Sequence, residues 1–342
     1  VHVLVTGGAG YIGSHTVLVL LEAGHRVTVV DDFSGASAEA LRRVEALAGR
    51  RVEVAVADVL DADALTRAVV AAAPDAVVHF AGLKAAGESV AEPERYYRVN
   101  VGGTLNVLDA MLAAGCSRLV FSSSASVYGR ADSMPVSEEA TLAPANPYGR
   151  TKAVCEAMLS DLAAAHPEFQ VAILRYFNPV GAHPSGDLGE SPAGEPSNLM
   201  PLIAAAAVGS RAAVKIHGGD YPTPDGTGIR DFIHVLDLAE GHLRALDAVA
   251  ARAATSPGRA AIWNLGTGRG TSVLEVIRAT AAVAGREIAY EIGPRRPGDV
   301  AVSYADCRKA ATELGWRAQR GLDEMVRDTL AWQRKHPGGY TA

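Results

Sequence analysis

Apolar positions in the first half of the chain fall into two alternating textures. Short β-branched runs at Val3–Thr6, Val27–Val30, Val52–Val56, Ala76–Phe80, Leu119–Ser122 and Val171–Leu174 are apolar on successive residues. Strands buried on both faces carry that pattern. Longer stretches of helical period lie between them: Tyr11–Ala23, Asp61–Ala72 and Pro93–Ala114. Asp61 and Pro93 stand at the expected starts, and Gly24 and Gly115 just past the expected ends. Such alternation needs right-handed crossovers and predicts a parallel, doubly wound α/β sheet of the Rossmann type.

The texture changes after Arg175. Residues 178–198 are rich in Pro and Gly, and so are residues 218–228, which precede a strand-like Asp231–Val235. A loop this long in a compact protein usually serves function, and both stretches are expected to form a lid or wall over the open sheet edge. The predicted division is a larger lobe over residues 1–176, with a contribution from about 231–264. A smaller mixed α/β lobe takes 177–230 and 265–342, the chain crossing between the two more than once.

Composition narrows the classes of partner. A formal net charge of −6 offers no basic field to a nucleic acid, and no run of residues is long and apolar enough for a bilayer. The chain opens on a strand pattern rather than a charged, then apolar leader. Three scattered cysteines without a CxxC suit a reducing cytoplasm, and ten histidines without an HxxxH or HxH pair predict no zinc site.

Gly8-Ala9-Gly10-Tyr11-Ile12-Gly13 follows the first strand and opens a helix. Glycine there lets the backbone turn sharply and approach a pyrophosphate, which then meets the positive end of the helix. Asp31 ends the second strand, where a carboxylate accepts both ribose hydroxyls and repels a 2′-phosphate; this favours NAD over NADP. Asp58 ends the third strand, placed either to reach the adenine or to cap the next helix. Gly266-Thr267-Gly268-Arg269-Gly270 lacks the lysine of a nucleotide-triphosphate loop and reads as a strand-to-helix turn.

Tyr148 and Lys152 are four residues apart, on one face of a helix that Pro147 would open, and Ser122-Ser123-Ser124 ends the fifth strand at the carboxyl edge. Removing hydride from a carbinol carbon needs a base for the hydroxyl proton. A lysine charge at ~5 Å, in an effective dielectric of ~20, favours a phenolate by roughly 3 kcal/mol, or about two pKa units. Tyr148 is thus the candidate base, Lys152 its activator, and Ser124 the holder of the hydroxyl oxygen.

These residues resemble the extended short-chain dehydrogenase/reductase family, in particular its branch that epimerises UDP-hexoses at C4. The resemblance runs through essentially the whole chain: Val5–His15, Phe80–Lys84, Ser122–Gly129, Arg175–Ala182, Asn198–Pro201 and Gly228–Val235. It implies interconversion of UDP-galactose and UDP-glucose through a 4-keto sugar, with hydride lent to tightly held NAD, in a homodimer. It implies cofactor contacts from Gly7, Gly10, Tyr11, Ile12, Gly13, Asp31, Asp32, Asp58, Val59, Phe80, Ala81, Gly82, Lys84, Asn100, Tyr148, Lys152 and Phe177. Substrate contacts are implied from Ser124, Tyr148, Asn178, Asn198, Arg230, Arg296 and Ser303, the arginines suiting a diphosphate.

Two positions depart from the family pattern. Gly35 stands where an Asn is more usual. Ser303 stands where the family carries either tyrosine or a small residue against the sugar's 2-position, and its size implies room for an N-acetyl group. A 4,6-dehydratase would need an Asp-Glu pair where Ala125 and Ser126 stand. A decarboxylase, a reductase and a non-catalytic NAD-binding protein remain alternatives at this level.

Overall fold

The computed structural model describes residues 1–342 except 193, 195, 197, 253–257, 259, 297 and 341–342, and the side chain of residue 252. Strands β1 (His2–Thr6), β2 (Arg26–Asp31), β3 (Glu53–Val56), β4 (Ala76–His79), β5 (Arg118–Ser124) and β6 (Gln170–Tyr176) lie where the apolar runs predict them. Helices α1 (Tyr11–Glu22), α2 (Ala38–Ala48), α3 (Ala62–Ala72), α4 (Ala86–Ala91), α5 (Pro93–Tyr96), α6 (Gly103–Ala113) and α7 (Pro147–Ala165) connect them. Beyond β6 come β7 (Asn178–Val180), α8 (Leu199–Val208), β8 (Val214–His217), β9 (Ile229–Arg230), β10 (Phe232–His234) and α9 (Val235–Arg252). The remaining elements are β11 (Ala261–Leu265), β12 (Thr271–Ser272), α10 (Val273–Ala284), β13 (Tyr290–Gly293), β14 (Val302–Ser303), α11 (Arg308–Glu313) and α12 (Leu322–Lys335).

Seven strands form one parallel sheet in the order β11-β6-β5-β4-β1-β2-β3. Its two faces differ. Val5, Val29, Val78, Val120, Leu174 and Trp263 pack under α1 and α9, while Leu4, Val77, Leu119, Phe121 and Ile173 pack against Val107, Met111, Leu159 and other apolar residues of α3, α6 and α7. The order reverses between β1 and β4, which opens a crevice at the strands' carboxyl ends. A smaller α/β lobe carries β8 with β13 and β12-β9-β14, around a third apolar cluster that includes Met200, Ile203, Ile277 and Leu330. Among the described residues no helix is long and apolar enough to cross a membrane.

The structure departs from the sequence pattern in several places. β3 is the edge of the sheet and largely exposed, with Val56 72 % accessible, although its sequence reads like a strand covered on both faces. The stretch Pro93–Ala114 is not one continuous helix: a π-helical turn at Tyr97–Gly102 lies between α5 and α6. The Pro/Gly-rich stretch after Arg175 is not loop throughout, because its first three residues form β7 and pair with β10. β10 is shorter than the strand-like run around it, since Asp231 lies before the strand and Val235 already starts α9. The glycine-rich turn after β11 reaches α10 by way of β12 rather than directly.

Candidate active site

The turn after β1 depends on missing side chains. Gly7 has φ +68°, and a Cβ there would lie 2.6 Å from the Ala81 nitrogen, so the turn is pressed against the end of β4. A Cβ on Gly13 would strike the Gly7 carbonyl oxygen, whereas Gly10 has more room, 3.3 Å from that oxygen. The backbone therefore folds on itself and leaves the start of α1, Tyr11 and Ile12, facing the crevice. Asp31 ends β2 buried; its carboxylate accepts the Ala9 and Phe33 amides, each at 2.9 Å, which aims it at the turn. Burial pushes this carboxyl up, and the two amides hold it back. Asp32 bonds the Ser34 amide and hydroxyl. Asp58 is exposed and accepts the Leu60 amide at 2.9 Å, while Asp61 is the true cap of α3; the capping role belongs three residues downstream of Asp58. Val59 is buried against Gly103.

Phe80, Ala81 and Gly82 leave β4 beside that turn, the Phe80 amide donating to the Thr6 carbonyl at 3.0 Å. Asn100 is fully engaged with protein. Its oxygen accepts the Leu83 amide at 2.8 Å, and its nitrogen donates to the Leu83 carbonyl at 3.1 Å and to Thr151 at 3.0 Å. This amide fixes the Gly82–Lys84 segment against α7. Phe177 is likewise packed with Val127, Tyr128 and Val136.

The Ser-Tyr-Lys group assembles at the carboxyl end of β5. Asn146 caps α7 by accepting the Gly149 amide at 2.9 Å, Pro147 occupies the first turn, and Tyr148 and Lys152 follow on one face. Tyr148 lies beside Ser124, whose hydroxyl is 3.1 Å from that of Ser126. The buried Lys152 ammonium donates to the Ser122 carbonyl at 2.7 Å and lies 4.8 Å from the Phe121 ring centre. The lowering of the phenol expected from Lys152 is not what these side chains deliver. Burial pushes Tyr148 above its ordinary value, opposed only by the neighbouring Ser124. Lys152 is itself driven down to about 8 by burial, with its ammonium turned to the strand end.

Tyr176 was unassigned from sequence. It lies beside Ser122, burial pushes its hydroxyl well up, and its ring packs 5.7 Å from that of His242. The only sequence signal was its place one residue before Phe177. Beneath these groups, Glu156 accepts the Ser123 hydroxyl and pairs with Arg175 at 2.6 Å, both nearly inaccessible.

Across the crevice, Glu190 connects two predicted site residues: its carboxylate lies 3.3 Å from the Lys84 ammonium and accepts the Asn198 amide at 2.7 Å. Nothing in the sequence sets Glu190 apart from the other acids of its Pro/Gly-rich stretch. Asn178 stands on β7 in register with Phe232. Arg230 pairs with Asp299, and Ser303 lies beside it in register on β14. Arg296 is exposed, near His217. Among the described residues no cluster of His, Cys, Asp or Glu is arranged for a metal.

A dinucleotide-type crevice, a carboxylate ending β2 and a tyrosine–lysine pair together define a protein that performs hydride and proton chemistry on an alcohol or carbonyl. The family model described as the NAD dependent epimerase/dehydratase family matches residues 3–266, and the chain belongs to that family. It is 51 % identical over 338 residues to a UDP-glucose 4-epimerase of Bacillus subtilis, covering 99 % of this chain and 98 % of that protein. It superposes at a TM-score of 0.95, with 48 % identity, on a UDP-glucose 4-epimerase from Bifidobacterium longum solved with NAD+ and UDP, covering 99 % of this chain and 100 % of that one. A UDP-Glc/GlcNAc 4-epimerase from Campylobacter jejuni matches at 0.83 and 37 % identity, over 98 % of this chain and 99 % of that one.

Proposed function

We propose that this chain is an NAD-dependent UDP-sugar 4-epimerase that interconverts UDP-galactose and UDP-glucose. The observation that carries the reading is Tyr148 beside Ser124, with Lys152 one helical turn along, at the carboxyl end of β5. Near-full-length similarity to UDP-glucose 4-epimerases supports it. The residues fit a dinucleotide: without a Cβ at Gly7 and Gly13 the turn can fold back on its own backbone at the start of α1, and backbone amides hold the Asp31 carboxylate beside that turn. Bound NAD supplies a hydride acceptor that later returns the hydride.

Everything else is the work of the chain's own side chains. Tyr148 takes the proton of the sugar's 4-hydroxyl and gives it back, and Ser124 holds the oxygen between the two events. Lys152, one helical turn from Tyr148 and anchored on Ser122, is assigned the positive charge of the site, and burial makes that charge count for more than it would in water. Net inversion requires the 4-keto sugar to present its other face to the same cofactor. A site that grips the UDP portion and leaves the hexose free to turn meets that need. Asn178, Asn198, Arg230 and Arg296 are assigned to that grip, and Gly10 to Gly13, Asp31, Asp58, Lys84 and Phe177 to the cofactor. Residues 1–176 with about 231–264 form the cofactor lobe, supported by β11 completing the main sheet and α9 covering it. Residues 177–230 and 265–342 form the sugar-nucleotide lobe.

Two finer assignments belong to the same reading. Ser303, small and next in register to Arg230, leaves space at the sugar's 2-position, so UDP-GlcNAc and UDP-GalNAc are also interconverted. Tyr97, Leu105, Leu112 and Val154 are apolar yet 39 to 45 % exposed on neighbouring helical elements, which suits the face of a homodimer. Purified protein given UDP-galactose without added cofactor should form UDP-glucose, and denaturation should release NAD. Accumulation of NADH at each turnover would instead identify a reductase. Turnover of UDP-glucose with none of UDP-GlcNAc would refute the assignment of Ser303.

A further inference from the structure

We propose that Tyr340 is the pin of a clasp that closes the turn 189–191 over the diphosphate end of the dinucleotide site and thereby sets how long the cofactor stays bound. The inference deepens the NAD reading above and rests on it. A small cavity lies directly against the glycine turn, walled by Gly10 and Tyr11, by Ala36 and Ser37, and on its outer side by Ser191 and Tyr340. The first four belong to the connections after β1 and β2, where the diphosphate and the adenosine half lie in a doubly wound sheet. The outer wall comes from far away in the chain and has no part in building that sheet.

The closure is held at several points. The Tyr340 hydroxyl accepts the Gly189 amide at 3.2 Å and lies 3.3 Å from the Gly189 carbonyl, and the Tyr340 amide donates to the Ser191 hydroxyl at 2.9 Å. The Tyr340 ring stands edge-on to the Trp332 indole, centres 4.8 Å apart, with the Arg43 guanidinium 5.8 Å from its own centre. The indole nitrogen donates to the Glu190 carbonyl at 3.0 Å, and Gly189 lies so flat on the indole that a Cβ would collide with it. Arg43, on α2, also reaches the Asp187 carbonyl at 3.3 Å and His336 at 2.9 Å. The clasp thus binds α2, on the cofactor side, to the segment that follows α12. The turn it holds carries Glu190, in contact with Lys84 and Asn198, so the closure also registers these two side chains to each other.

Each of these bonds is individually modest, and the segment beyond α12 is exposed at residues 337–338, so it can open without unfolding either lobe. A dinucleotide lodged through many turnovers needs such a closure, because the glycine turn by itself leaves one side of the diphosphate open to water.

The test uses the full chain purified with its cofactor, together with Tyr340→Phe and Tyr340→Ala. NAD release is followed by rapid desalting and assay of the protein-free fraction, and epimerisation is measured against added NAD. Tyr340→Phe should release NAD several-fold faster than the parent, and Tyr340→Ala at least tenfold faster. Tyr340→Ala should then depend on added NAD, with turnover near the parent's once NAD saturates. Release as slow as the parent's in both variants, or turnover that saturating NAD fails to restore, overturns the clasp. Should a melting curve show Tyr340→Ala unfolded, Tyr340→Phe decides alone, and unchanged release counts against the proposal. A parent that carries no NAD sinks the cofactor reading first, and the clasp with it.

Discussion

A single hydroxyl governs the chemistry proposed here. Tyr148→Phe keeps the ring in its half-buried place and removes the proton acceptor. Turnover should fall by about 10²- to 10⁴-fold, the range that general acid–base groups contribute, with NAD content and melting temperature unchanged. Lys152 adds a pH signature. Burial brings it down to about 8, so its positive charge is present below that pH and lost above it. The alkaline limb of the turnover profile should therefore bend near pH 8, and Lys152→Met should be slow at every pH and lack that bend. Reading Tyr148 and Lys152 from sequence was possible because a four-residue spacing on a helix fixes their common face. The sign of the phenol's shift was not legible, because it depends on how much protein covers the ring.

Among the elements, the loop after β11 shows how a backbone can be organised by one buried charge. Asp231 accepts the Thr267 amide at 2.8 Å and its hydroxyl at 2.6 Å, the Gly268 amide at 3.0 Å and the Ala305 amide at 3.1 Å. It thereby ties the turn 266–268 to Ala305, two residues past β14, and supports the register in which Ser303 meets Arg230. Asp231→Ala leaves the buried Ala305 amide and the half-buried Thr267 amide and hydroxyl without this partner, a buried donor costing about 1–3 kcal/mol. A fall in unfolding free energy of several kcal/mol is expected in urea titrations, with a raised KM for the UDP-sugar in any folded fraction. In sequence 266–270 has the pattern of a plain strand-to-helix turn, because the aspartate that is its scaffold lies more than thirty residues earlier.

For the molecule as a whole, buried histidines dominate the acid response. His15 and His79 are held down to about 3 and His242 to about 4, all by burial. A folded-state pKa below the unfolded one means that the unfolded chain binds more protons between the two values. Their stabilising effect is full above about pH 6.5 and is lost as pH falls toward 4. Asp31 and Asp231, raised by burial, act in the opposite sense, but only near the ordinary carboxylate range. Melting temperature should thus fall progressively as pH drops below 6.5. A flat profile between pH 6.5 and 5 would contradict the burial of these three rings.

What the linear chain settled was whatever short-range pattern encodes: the strand–helix alternation, the glycine turn that only residues lacking a Cβ can make, the carboxylate ending β2, and the Tyr148–Lys152 face. These depend on spacing within one or two elements, so neighbouring residues suffice to define them. Folding in three dimensions decided which strand would lie exposed at the edge, that the Asn100 amide is consumed by Leu83 and Thr151, that Glu190 meets Lys84 and Asn198, and that Tyr340 closes over the glycine turn. Those facts join residues remote in sequence through burial and hydrogen-bond partners, which no local pattern records because the same side chain serves equally well on an open surface.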